Sequence, residues 1–208
     1  MNIPNKLTIF RIILSFVIII ILLLPFEALG IELPKLFVNE LIVVDIKYLA
    51  AGVLFIVASL TDLLDGFLAR KMKCVTDLGK VLDAIADKIL VNPCLIILAA
   101  TGFIHPIIPA TLVMRDSFVD ALKMIAGNKG NVVGAITTGK FKTVCLMIGI
   151  ILTLFYNMPF ELINLKCSEF LLIIGVVLSV VSAFQYYNLT KKYLTENKNL
   201  QENDYRIS

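Results

Sequence analysis

The sequence has no C-x-x-C pair, and its one histidine, His105, stands beside Pro106 with no cysteine near it. Cys74, Cys94, Cys145 and Cys167 are scattered, so their spacing suggests neither a zinc site nor a disulfide framework and leaves them as apolar packing residues. Charge is also scarce: Asp, Glu, Lys and Arg make up 17% of 208 residues, against 59% hydrophobic. That apolar share is well above the roughly 45–50% of ordinary soluble domains, so water is not the solvent of most of this chain. The net charge of +3 is modest and gives no ground for a nucleic-acid partner. No small-residue cleavage pattern follows the first apolar run, so MNIPNKLTIFRIIL reads as the start of a retained helix rather than a removed signal peptide. No internal repeat or low-complexity block stands out.

What is present is a series of long apolar runs. A helix needs roughly 20 residues to cross about 30 Å of hydrocarbon, and only a structure that pairs all its backbone groups survives there. Six segments qualify, at about 7–26, 48–70, 79–101, 107–126, 142–160 and 169–190. The expected fold is all-α and integral to the membrane, with six transmembrane helices over residues 1–190 and a polar, solvated tail over 191–208. Lysine takes sides: Lys71, Lys73 and Lys80 follow the second span, Lys123, Lys129, Lys140 and Lys142 follow the fourth, and Lys191, Lys192 and Lys198 follow the sixth. The loop after the first span carries Glu27, Glu32, Glu40 and Asp45 against Lys35 and Lys47, and the turn from Gly102 to Pro109 carries no Lys or Arg. The positive-inside rule then puts both termini and the even-numbered connections in the cytoplasm.

The stretch DLLDGFLARKMKCVTDLGKVLDAIAD, from Asp62 to Asp87, concentrates acid at the end of the second span and in the third. Helical positions three and four apart share a face, so Asp62 points with Asp65, and Gly79 and Asp83 with Asp87. A short turn would make the two helices antiparallel neighbours and bring all four acids together at the inner membrane edge, with Asp77 a solvated acid in the turn. An ionised acid deep in a span costs about 2.5–3.5 kcal/mol on insertion scales, and like charges repel, so cations are required. Oxygen donors without Cys or His suit Mg²⁺, Mn²⁺ or Ca²⁺, and four acids suit two ions, the arrangement that clamps both oxygens in phosphoryl chemistry. Gly66 and Ala69 on the same face would admit a phosphate-bearing ligand close to the backbone, and Arg70 would recognise phosphate through two parallel hydrogen bonds. For Gly66, Ala69 and Gly79 ordinary helix packing is the alternative, and for the four acids it is an ion-pair network or proton relay.

The positions Asp62, Asp65-Gly66, Ala69-Arg70, Gly79, Asp83 and Asp87 resemble the signature of the CDP-alcohol phosphatidyltransferases, with every signature position filled. The opening NIPNKLTIFRI, with Asn2, Pro4, Asn5, Leu7, Thr8 and Arg11, and the later GKFKT, with Gly139, Lys140, Lys142 and Thr143, resemble the branch whose acceptor is glycerol 3-phosphate. The resemblance implies the six-helix CDP-alcohol phosphotransferase fold, often a homodimer. It implies that Asp62, Asp65 and Asp83 chiefly bind two Mg²⁺ or Mn²⁺ ions, with Asp87 their neighbour and the general base. Its substrates would be CDP-diacylglycerol and sn-glycerol 3-phosphate, its products CMP and phosphatidylglycerophosphate, and its setting the membrane lipid of the cytoplasmic membrane. Asn5, Thr8, Asp65, Gly66, Ala69, Arg70 and Gly79 would bind the CDP-lipid, although Asn5 and Thr8 could equally cap the first helix.

A dianionic acceptor needs further cations, for which Arg11, Arg115, Lys140 and Lys142 are the candidates. Arg11 could reach the site or extend to lipid headgroups, the two lysines could be flanking charge, and Arg115 could pair with Asp116 or Asp120. The branch usually has Arg-Glu where this chain has Arg115-Asp116, which leaves the role of that acid open. Two rival readings stay open. One is a cation transporter or channel, which explains the acids but not Arg70 or the second basic group. The other keeps the reaction and changes the acceptor to inositol phosphate, serine or phosphatidylglycerol.

Overall fold

The computed structural model describes residues 3–31, 34–38, 42–71, 77–128, 130, 134 and 136–207, without the side chains of 3, 4, 35–38, 42, 67–71, 77, 78, 80 and 192–207. Six long helices make up most of it: α1 (Ile3–Leu23), α2 (Ile46–Lys71), α3 (Asp77–Ala100), α4 (Ile107–Asn128), α5 (Thr137–Leu154) and α6 (Cys167–Ile207). Their ends follow the chemistry of the chain. Gly102 adopts φ +81° just after α3, where a side chain would be strained, and its N–H bonds back to Ala99 O at 3.1 Å. Gly130, at φ +75°, closes the turn after α4 in the same way, through Gly127 O at 2.9 Å. Pro109 falls in the first turn of α4, where its missing N–H has no helical partner to lose.

Among the described residues four helical segments are long and apolar enough to cross a membrane: Asn5–Leu23, Ile46–Gly66, Thr137–Leu154 and Cys167–Lys191. The helices α3 and α4 fall short of that measure because they carry charge, Asp83, Asp87 and Lys88 on one and Arg115, Asp116, Asp120 and Lys123 on the other. Ile13, Phe16, Ile20, Val53, Val177 and Phe184 are exposed on the outside, a surface suited to lipid.

The core gathers Ile18, Ala51, Phe55, Leu90, Leu95, Leu98, Ile150, Leu154 and Leu172 from five helices, and a smaller cluster of Val119, Leu122 and Tyr186 joins α4 to α6. Helix α1 packs along both α2 and α3, while α6 packs along both α4 and α5, and α3 touches α4 and α5. The expected meeting of α2 and α3 is seen at their acids, where Asp62 and Asp87 come within hydrogen-bonding reach, and along their length both helices pack on α1, which forms a third wall of the site. Two glycines let α5 and α6 approach closely: a Cβ on Gly149 would meet Leu172 Cδ2 at 2.8 Å, and one on Gly175 would meet Leu146 Cδ2 at 2.5 Å.

Other boundaries differ from expectation in instructive ways. Asp77 is the first residue of α3 rather than part of a turn. The fifth helix starts at Thr137 and stops at Leu154, and a short 3-10 turn at Phe160–Ile163 follows. The acidic loop after α1 contains an antiparallel hairpin, β1 (Lys35–Val38) and β2 (Ile42–Asp45), in the register Lys35 opposite Asp45. Tyr156 Oη accepts a 3.0 Å bond from Asp45 N, and the rings of Tyr48, Phe103 and Tyr156 pack together. This fastening lies at the start of α2, about 25 Å by helical rise from the acids at its other end. The candidate span Cys167–Lys191 belongs to α6, whose backbone stays helical through Ile207, where a polar tail was expected.

Candidate active site

The end of α2 presents Asp62 and Asp65 one turn apart, and α3 presents Asp83 and Asp87 one turn apart. Between them comes Arg11, from the third turn of α1. One guanidinium nitrogen, Nη1, pairs with Asp62 and with Asp87 Oδ1 at 2.8 Å. The other, Nη2, pairs with Asp65 and with Asp83 Oδ1 at 3.1 Å. The Arg11 side chain is wholly buried, while Asp65 is 6% exposed, Asp87 39% and Asp83 51%, so the site opens along α3. Thr8, one turn before Arg11, donates its hydroxyl to Asp65 Oδ2 at 3.2 Å, and Asn5 is buried one turn earlier. Helix α1 starts at Ile3, so Thr8 lies inside it and does not cap it.

Four carboxylates against one guanidinium leave three negative charges in excess at this point. Asp62, Asp83 and Asp87 each offer an oxygen within 4.8 Å of the others. Oxygen-only donors with surplus negative charge, partly open to solution, suit a hard divalent cation. Arg11 Nε is buried and has no hydrogen-bond partner, so the guanidinium is not fully satisfied by the carboxylates it joins. Arg11 was expected among the acceptor-phosphate groups, with lipid headgroups as the alternative; the structure sets it at the site among the four carboxylates, because α1 packs against both α2 and α3.

The remaining CDP-lipid candidates follow the same two helices. Gly66 is half-buried at the end of α2 beside Asp65, and Gly79 is half-buried in the first turn of α3, one turn before Asp83. Ala69 and Arg70 belong to the last turn of α2, but their side chains lie outside the described residues, as does Asn2.

The other expected cations lie on the far side of α3. Arg115 uses its whole fork: Nε donates to Ser179 O at 2.9 Å, Nη1 to Asp116 Oδ1 at 2.8 Å, and Nη2 to Ser182 Oγ. Lys142 Nζ donates to the same Asp116 oxygen at 2.8 Å and is likewise buried. Of the alternatives for Arg115, pairing with Asp116 is the one seen, while its bonds to Ser179 and Ser182 tie α4 to α6 and the Lys142–Asp116 pair ties α5 to α4. Lys140, two residues before Lys142, is exposed and does not join this group.

Sequence reasoning passed over Lys88 and Tyr186. Lys88 pairs with Asp120 across α3 and α4 and is within electrostatic reach of Asp116, Arg115 and Lys123. Tyr186 lies under two cations, with Lys123 Nζ 4.8 Å and Arg115 Cζ 5.9 Å from its ring centroid. The available signal for Lys88 was its charge in a third span otherwise read for acids alone. Tyr186 gave none, since an aromatic in an apolar helix reads as packing.

Comparison with known proteins agrees with the motif. A family model described as CDP-alcohol phosphatidyltransferase matches residues 1–181. A Bacillus subtilis protein named CDP-diacylglycerol--glycerol-3-phosphate 3-phosphatidyltransferase is 37% identical over 90% of this chain and 94% of its own length. Proteins of the same name from Mycoplasma genitalium and Rickettsia bellii are 38% and 30% identical, over 74% and 92% of this chain and 65% and 97% of theirs.

Proposed function

The chain belongs to the CDP-alcohol phosphatidyltransferase family, and from that premise we propose that it transfers the phosphatidyl group of CDP-diacylglycerol to sn-glycerol 3-phosphate. The products are phosphatidylglycerophosphate and CMP. The observation that carries this reading is the convergence of Asp62, Asp65, Asp83 and Asp87 on one point, in a chain whose matched relatives bear the name of that reaction.

Asp62, Asp65, Asp83 and Asp87 would hold two Mg²⁺ or Mn²⁺ ions, which when bound would neutralise the pyrophosphate of the donor. The most exposed pair, Asp83 and Asp87, faces the opening through which a soluble acceptor arrives. Asp87 accepts the proton of the acceptor hydroxyl as that oxygen forms a bond to the lipid-side phosphorus. The bond from that phosphorus to the CMP oxygen breaks, the electron pair leaves with CMP, and the proton stays on the Asp87 carboxylate. Thr8 fixes Asp65 by hydrogen bonding, and the resemblance assigns the nucleotide diphosphate to Asn5, Gly66, Ala69, Arg70 and Gly79. Arg11 holds the four carboxylates gathered at one point. The site lies at the cytoplasmic membrane edge, where a two-chain donor arrives from lipid and a charged acceptor from water. Both termini share that side, and the family resemblance supports a homodimer.

The test is an acceptor panel in sealed inside-out membrane vesicles with one labelled CDP-diacylglycerol donor. Glycerol 3-phosphate added outside should give phosphatidylglycerophosphate with equal release of CMP, and serine, inositol phosphate and phosphatidylglycerol should give little. No release of CMP with any acceptor on the panel would overturn the reaction, and a better acceptor than glycerol 3-phosphate would overturn the acceptor. Activity only after the vesicles are opened would overturn the orientation.

A further inference from the structure

Helix α3 separates two regions of opposite charge. On the side of α1 lie the four carboxylates and Arg11. On the side of α4, Lys88 pairs with Asp120, Arg115 and Lys142 pair with Asp116, and Lys123 stands over the Tyr186 ring, which leaves two positive charges in excess in this group of described residues. The two regions meet at consecutive residues, since Asp87 turns to Arg11 and Lys88, about 100° further round the helix, turns to Asp120.

The cations of the second region are not equally available. Arg115 and Lys142 have side chains only 11% exposed and converge on one buried oxygen of Asp116. Lys88 is 38% exposed, and its partner Asp120 is 46% exposed, so this pair is solvated and contributes about 1 kcal/mol or less. A ligand with two negative charges can displace Asp120 from Lys88 at little cost, whereas displacing Asp116 would strand two buried cations.

We propose that Lys88 holds the phosphate of the acceptor while the neighbouring Asp87 receives its hydroxyl proton. Lys88 is thereby the residue that makes the enzyme select a phosphorylated alcohol over a neutral one. This rests on the acceptor reading given above. Arg115 and Lys142, engaged by Asp116, build the positive field around the phosphate and orient α4 and α6, and Asp120 keeps Lys88 in place until the acceptor arrives. The acceptor is then bound at both ends by adjacent residues of one helix, so its hydroxyl cannot turn away from Asp87 without giving up the phosphate contact.

The test compares the wild-type enzyme with Lys88→Gln, Lys88→Arg and Asp120→Asn, purified in detergent, with glycerol 3-phosphate and glycerol as acceptors. Lys88→Gln should raise the apparent KM for glycerol 3-phosphate about tenfold, the size of one charge-assisted hydrogen bond. The KM for CDP-diacylglycerol should stay within about twofold, since the donor is bound elsewhere. The preference for glycerol 3-phosphate over glycerol should fall by the same factor, and Lys88→Arg should restore most of it. Asp120→Asn, which frees Lys88, should lower the acceptor KM. An unchanged acceptor KM in Lys88→Gln, or a rise in Asp120→Asn equal to that in Lys88→Gln, would overturn the assignment and leave the pair a structural tie. If Lys88→Gln does not fold, the Asp120→Asn result decides alone, a lower acceptor KM supporting the assignment and any other result overturning it. A wild-type enzyme that forms no product from glycerol 3-phosphate would instead overturn the acceptor reading on which the assignment rests.

Discussion

Arg11 is the most heavily paired side chain described, with all four carboxylates within reach of its two terminal nitrogens and no surface of its own exposed. Removing one partner from a buried ionic group costs about 3–5 kcal/mol, because the charges left behind stay out of water. Here the open flank at Asp83 and Asp87 reduces that penalty, so about 3 kcal/mol is expected. Arg11→Gln should therefore unfold at a lower temperature than wild type in detergent with a chelator present. Adding Mg²⁺ or Mn²⁺ should recover more stability in the variant than in wild type, because the ions no longer compete with a guanidinium. Differential scanning calorimetry with and without metal measures both, and equal midpoints of the two proteins in chelator would contradict this role for Arg11.

Among the elements, α5 and α6 depend on close approach more than on any polar contact. Gly149 and Gly175 face Leu172 and Leu146 across the pair with no room for a branched side chain. Gly175→Leu should destabilise the protein by about 1–3 kcal/mol, the cost of overpacking a fitted interface, despite the better helix propensity of leucine. Thermal unfolding of the variant in detergent checks this, and an unchanged or higher midpoint would show that the interface yields freely. The helices themselves were legible in the sequence because a membrane demands apolar runs of a set length, and Asp62, Asp65, Asp83 and Asp87 were legible because helical period alone aligns them. The place of α1 was not, since Arg11 meets acids 51 to 76 residues away, a distance in sequence that no periodicity spans. The strands at Lys35–Val38 and Ile42–Asp45 escaped notice for the opposite reason: four residues are too few for a pattern to distinguish a strand from a loop.

At the scale of the whole molecule, charge is sorted by helix. Lipid-suited surface covers the outside, negative charge collects where α1, α2 and α3 meet, and positive charge collects where α3, α4, α5 and α6 meet. Such sorting suits a reaction that brings a metal-bound pyrophosphate and a free phosphate ester to the same point without letting either take the other's place. Helix α3 belongs to both regions, and Asp87 is where they join. The central claim is that this carboxylate takes the acceptor proton, and the initial rate of CMP release by purified Asp87→Asn, with both substrates and Mg²⁺ saturating, tests it most directly. The substitution keeps the shape of the side chain and removes the base, so turnover should fall by about a hundredfold or more while the protein remains folded. Turnover close to that of wild type would contradict the account.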